Sequence, residues 1–139
     1  MEYLIGLGLA VLVCLLARVV GFDRERVFYP TMTWVVATYY ILFAVMGNSM
    51  RALAWESLVA VGFIGLAVVG FHRNLWLVVV ALAGHGAFDL VHHLVIENHG
   101  VPGYWPGFCM SFDVMAAGIL AWLLRRGRIG VVPALHVIL

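Results

Sequence analysis

Long apolar runs alternate along this chain with short polar interruptions. Five of the runs approach the roughly 20 residues that a helix needs to cross the ~30 Å hydrocarbon core of a bilayer. They predict helices at about 3–20, 28–46, 52–71, 75–96 and 108–124. Pro30 falls in the first turn of the second run, where its missing N–H has no intrahelical partner to lose. The runs are too long for barrel strands and lack their two-residue alternation. The longest interruption, 97–107, is rich in Gly and Pro. The pattern therefore predicts an all-α fold, a polytopic transmembrane helical bundle of about five helices forming a single domain. An apolar tail at 129–139 contains Pro133 and is too short to span. It is expected to lie along the inner interface or to pack on a partner. The first run begins with Glu2 instead of a basic segment, and no small-residue cleavage site follows it. It reads as a retained helix, not a signal peptide.

Composition strengthens this reading. The chain of 139 residues is 65% hydrophobic and 11% charged, with a mean hydropathy of +1.06. Soluble domains average about 45–50% apolar and about 25% charged. A soluble core of this size cannot bury the excess, so lipid must cover it. The net charge of +1 comes with no basic stripe interleaved with aromatics, which argues against a nucleic-acid partner. Cys14 and Cys109 lie in different runs and form no Cys-x-x-Cys pair, so a disulfide framework is not expected.

Charge also predicts an orientation. All 8 basic residues are arginines. Arg18, Arg24 and Arg26 surround the first connection, Arg51 lies in the second and Arg73 in the third, and Arg125, Arg126 and Arg128 follow the last run. Cytoplasmic loops retain positive charge. An external N-terminus and a cytoplasmic C-terminus put all of them inside except Arg51.

In that orientation the polar residues crowd the outer halves of the runs. Polar groups within a bilayer are costly and tend to be paired or functional. The densest stretch is His85-Gly-Ala-Phe-Asp89-Leu-Val-His92-His93. At ~100° per residue, His85, Asp89 and His92 share one face within about 60°, with His93 beside it. Imidazoles and carboxylates are donors for Zn, Fe, Mn or Cu. On the next run, Asp113 is expected at a depth similar to that of Asp89, roughly 8–10 Å below the interface. The expected metal ligands are thus His85, Asp89, His92 and Asp113. Cys109, one turn above Asp113, is a further candidate. His93 and Glu56 are candidate catalytic proton carriers, although an ion pair with Arg51 is an equal expectation for Glu56. His99 reads as a rim residue, and His72 and His136 as incidental. Gly62, Gly65 and Gly70 suggest close helix packing. Tyr104 and Trp105, between Pro102 and Pro106, are expected to cover the outer end at headgroup level.

The segment from His85 to Asp113 resembles a pattern in a family of small uncharacterised bacterial integral membrane proteins. That pattern is His-x3-Asp-x2-His-His on a helix, a Pro-containing loop, then Cys-x3-Asp on the next helix. Here His85, Asp89, His92, His93, Pro102 or Pro106, Cys109 and Asp113 match it, over about a fifth of the chain. The resemblance implies a bacterial inner (plasma) membrane and no particular activity. Asp89-Leu-Val-His92-His93 is also similar to one histidine box of membrane fatty-acid desaturases and hydroxylases. Those enzymes use several boxes, so their full dinuclear iron site is not expected here. Transmembrane ceramidase-like hydrolases use similar His and Asp ligands around zinc, in bundles of more helices.

Two classes of function fit. One is a metal-dependent membrane hydrolase or oxidoreductase acting on a lipid or other apolar substrate. The other is a non-catalytic subunit or small transport or proton-relay component, in a homo-oligomer or larger membrane complex. Its His and Asp residues would then form a metal-free polar network.

Overall fold

The computed structural model describes residues 1–129. Five helices account for most of them: α1 (Glu2–Val20), α2 (Phe28–Met46), α3 (Met50–His72), α4 (Trp76–Val95) and α5 (Trp105–Arg125). A single 3-10 turn, Phe22–Arg24, lies between α1 and α2. There are no strands among the described residues, and all five helices are long and apolar enough to cross a membrane. The protein is an integral membrane protein. The predicted apolar tail lies outside the described residues except at its first residue, Ile129, which is buried.

Helix ends follow local chemistry. Ser49 caps α3, its hydroxyl accepting from the Ala52 N–H at 3.2 Å. Gly21 closes α1 in the left-handed conformation, with φ 93°. The largest departure from the expected boundaries is at α5, which begins at Trp105 and not at 108. Pro106 is the reason, since proline in a first turn pre-sets φ and gives up no hydrogen bond.

The helices pack in the order α1, α5, α4, α3, α2, and α2 also reaches α4. One end of the bundle carries the N-terminus and the α2–α3 and α4–α5 connections, with Gly107 against Tyr3 and Gly100 against Gly47. It is called the polar end below. At the other, arginine end, Arg26 donates two hydrogen bonds to the Phe71 carbonyl, at 2.9 and 3.3 Å, and Arg18 pairs with Asp23 at 3.0 Å.

Two glycines bring α5 close to its neighbours. A Cβ on Gly6 would collide with Ser111 and the Phe108 carbonyl, so α1 can approach α5 only with glycine there. A Cβ on Gly86 would sit 3.1 Å from the Met110 carbonyl and 3.3 Å from the Asp113 Cβ. The expectation for the α3 glycines needs correction. Among the described residues, a Cβ on Gly62 or Gly65 would meet nothing within 4 Å, while Gly70 alone of the three packs, against Val78.

Candidate metal centre

The 3.6-residue period turns one face of α4 inward. Val78, Leu82, His85, Asp89 and His92 are all buried along it. Position 93 is one step round that helix, and His93 is exposed. Across the contact permitted by Gly86, α5 presents Cys109 and Asp113, four residues apart on its own inner face. The two pairs meet. One ligand atom from each of His85, Asp89, Cys109 and Asp113 lies within 4.8 Å of all the others, and all four residues are buried.

Within this group His85 Nδ1 is 2.6 Å from Asp113 Oδ2 and 3.7 Å from Asp89 Oδ2. The Cys109 thiol makes a long contact of 3.8 Å with Asp113 Oδ2. The Tyr40 hydroxyl, reaching over from α2, donates to Asp89 Oδ1 at 2.6 Å. That leaves two carboxylate oxygens, Asp89 Oδ2 and Asp113 Oδ1, buried with no hydrogen-bond partner among the described residues. Buried polar atoms are nearly always partnered, so each of these calls for a proton or a cation.

The spacing suits a cation. Tetrahedral Zn with bonds of about 2.0–2.3 Å places its ligand atoms about 3.3–3.8 Å apart. The 3.7 and 3.8 Å separations are within about 0.3 Å of what such bonds give a nitrogen–oxygen and a sulfur–oxygen pair, and all four atoms lie within 4.8 Å of one another. The 2.6 Å His85–Asp113 contact is a hydrogen bond, and it must open by somewhat under ~1 Å before both atoms can be ligands.

His92, expected among the ligands, stands elsewhere. Its Nε2 is 2.7 Å from Glu56 Oε1 on α3, and Asn98 Nδ2 donates to the same oxygen at 2.8 Å. Asn98 also donates to the Tyr40 carbonyl at 3.2 Å. The His92 and Tyr40 rings stack, with centroids 4.0 Å apart and planes 15° from parallel. Glu56 is buried, and no ion pair joins it to Arg51 among the described residues, which corrects that alternative. Helix α4 packs on α5 along one flank and on α3 along another, and that explains the division. The side chains at 85 and 89 turn to α5, and the one at 92 turns to α3.

A cleft of about 430 Å³ at the polar end reaches Asp89 and is lined by His92, His93, Glu97 and His99 among others. His99 is exposed at this rim, 3.5 Å from Glu97. Tyr104 is exposed there too, but Trp105 turns inward against Tyr39, Phe43 and Phe108. The two aromatics therefore do not form one cover. Tyr40 and Asn98 were not anticipated in these roles. Tyr40 lies on the buried stripe Tyr29, Val36, Tyr40, Phe43, a helical spacing that aromatic and branched residues on the other faces of α2 obscure.

No protein family model, curated protein or solved structure matches the chain. What the arrangement defines is a polytopic membrane protein with a buried His/Asp/Cys group between two of its helices that is able to hold a metal ion.

Proposed function

We propose that this membrane protein binds one divalent transition-metal ion between α4 and α5, through His85, Asp89, Asp113 and Cys109, and uses it on an apolar substrate. One observation carries the reading. Two carboxylate oxygens lie buried and unpartnered inside a cluster that also offers an imidazole and a thiol. A single charged side chain at the centre of a bilayer costs about 2.5–3.5 kcal/mol on insertion scales. Two acids side by side add mutual repulsion, and a divalent cation removes both penalties.

One imidazole, two carboxylates and one sulfur suit Zn or Fe, and Mn and Cu belong in the same assay. A bound ion would act as a Lewis acid on a carbonyl or similar oxygen. Catalytic sites keep one position open. We assign that position to Cys109, whose thiol a substrate would displace. To His93, which is exposed in the lining of the polar-end cleft, we assign proton exchange with water. We assign the polar end to the outside of the membrane from the arginine count, and reporter fusions at the two termini test this. Reporters on the same side of the membrane would contradict it.

The experiment for the metal is elemental analysis of protein purified in detergent without chelator. About one equivalent per chain is expected, lost in Asp113→Asn and kept in His99→Ala. Protein that carries no metal and takes up none of Zn, Fe, Mn or Cu on titration would overturn the proposal in favour of a metal-free polar network.

A further inference from the structure

A second cavity meets the candidate centre from the lipid side. It is a groove of about 600 Å³ between α1 and α2, with α5 as its floor. Leu9 and Val13 form one wall, Met32 and Val36 the other, and Phe108 and Phe112 the floor. At the arginine end it opens past Phe22, Glu25 and Val27, which are all exposed. At the other end Trp105 and Tyr39 line it, with ring centroids 4.9 Å apart, and Trp105 also packs on Phe43. Cys109 belongs both to this lining and to the four-residue metal group.

We propose that the groove holds one acyl chain of a membrane phospholipid, entering from the leaflet at the arginine end and ending beside Cys109. This rests on the metal-centre reading only for what happens at Cys109. The binding of the chain stands by itself. Three observations select the occupant. The lining is apolar apart from Glu25 at the mouth, Thr31, the polar edges of Tyr39 and Cys109, and the Trp105 indole, whose Nε1 has no partner among the described residues, so a ligand with several polar groups would leave most of them unpaired. Along α2 the groove runs from Phe28 to Tyr39, about 17 Å at ~1.5 Å per residue. That is close to half of the ~30 Å hydrocarbon core, the depth of one leaflet. The groove is also continuous with the lipid-facing surface, since Leu9 and Val35 are 39% and 49% exposed on its rims. The headgroup stays at the α1–α2 connection, so the part of the chain that meets Cys109 is its far end and not its ester. A chain bound this way keeps its ester away from the metal group, so it is a resident lipid and not the substrate of the Lewis-acid chemistry proposed above.

The test is photolabelling in phosphatidylcholine nanodiscs. The probe is phosphatidylcholine with a diazirine on one acyl chain, either near the methyl end or near the ester, and cross-linked residues are mapped by mass spectrometry. The methyl-end probe is expected to label Tyr39 and Phe108 at least about fivefold over Leu58 and Val61, which face lipid on α3. The ester-end probe is expected to label Val27 and Phe28. Val36→Trp should fill the groove and abolish the preference. Leu9→Trp on the opposite rim is the second variant if the first does not fold. Metal content is measured on the same samples. Preferred labelling without metal would sustain the groove and remove the centre, and metal with uniform labelling would do the reverse. Equal labelling of all lipid-facing helices, or the two probes in reversed positions, would overturn the proposal and leave only annular lipid.

Discussion

Two histidines on one face of α4, about two turns apart, each meet a carboxylate from another helix, yet their surroundings differ. Around His92, no fully buried polar atom is left without a partner among the described residues. Glu56 Oε1 takes contacts from His92 and Asn98, Asn98 ties back to the Tyr40 carbonyl, and the Tyr40 ring stacks on the imidazole. Around His85 such atoms remain. Two acids share one imidazole, and an oxygen of each is left without a partner. A closed network holds helices together and has little to offer a ligand. An open one at the same depth is costly unless something fills it. Residue type does not separate the two clusters, but the accounting of lone pairs does.

Substitutions can break or sharpen this contrast. His85→Ala should have the largest effect. Partners behind a ligand cost 10–100-fold in metal affinity when lost, so loss of a ligand itself should cost about 100-fold or more. Competition against a chromogenic chelator reads it, and unchanged affinity would remove His85 from the site. Tyr40→Phe comes next. It deletes the hydroxyl on Asp89 Oδ1 and keeps the ring on His92. Affinity should fall about 10–100-fold, and the metal-free protein should lose about 1–3 kcal/mol of stability because Asp89 Oδ1 is left without its donor. Unchanged affinity would remove Asp89 from the centre.

Glu56→Gln should lower stability alone. It removes the charge on which His92 and Asn98 converge, and should lower stability by about 1–3 kcal/mol in a denaturation assay in mild detergent. Metal stoichiometry should stay near one. Metal loss on this change would draw Glu56 into the centre. The smallest effect is expected from His99→Ala, since the ring is exposed at the rim. A change in affinity beyond about threefold there would indicate that the polar-end cleft is itself a cation site.

Much of the fold was legible because lipid imposes a simple demand, a continuous apolar length for every crossing. The inward face of α4 was legible from its period, and the depth match between Asp89 and Asp113 followed from the helical rise. Which neighbour each inward side chain meets was not legible. His85 and His92 lie on one stripe, but α5 flanks the first and α3 the second, and that depends on how three helices cross. Cys109 ranked behind His92 as a ligand because one residue's depth says nothing about an adjacent packing angle. Tyr40 was hidden in a helix that is apolar on every side. Spacing alone also overstated Gly62 and Gly65, where a Cβ would meet nothing within 4 Å among the described residues.

Gly86 sets how closely α5 can lie against α4 beside the candidate centre. Any side chain there must push the Met110 carbonyl and Asp113 away by a few tenths of an ångström. If an ion is held as proposed, Gly86→Ala keeps all four donor residues but moves the α5 pair away from the α4 pair, and affinity for a small transition-metal ion should fall.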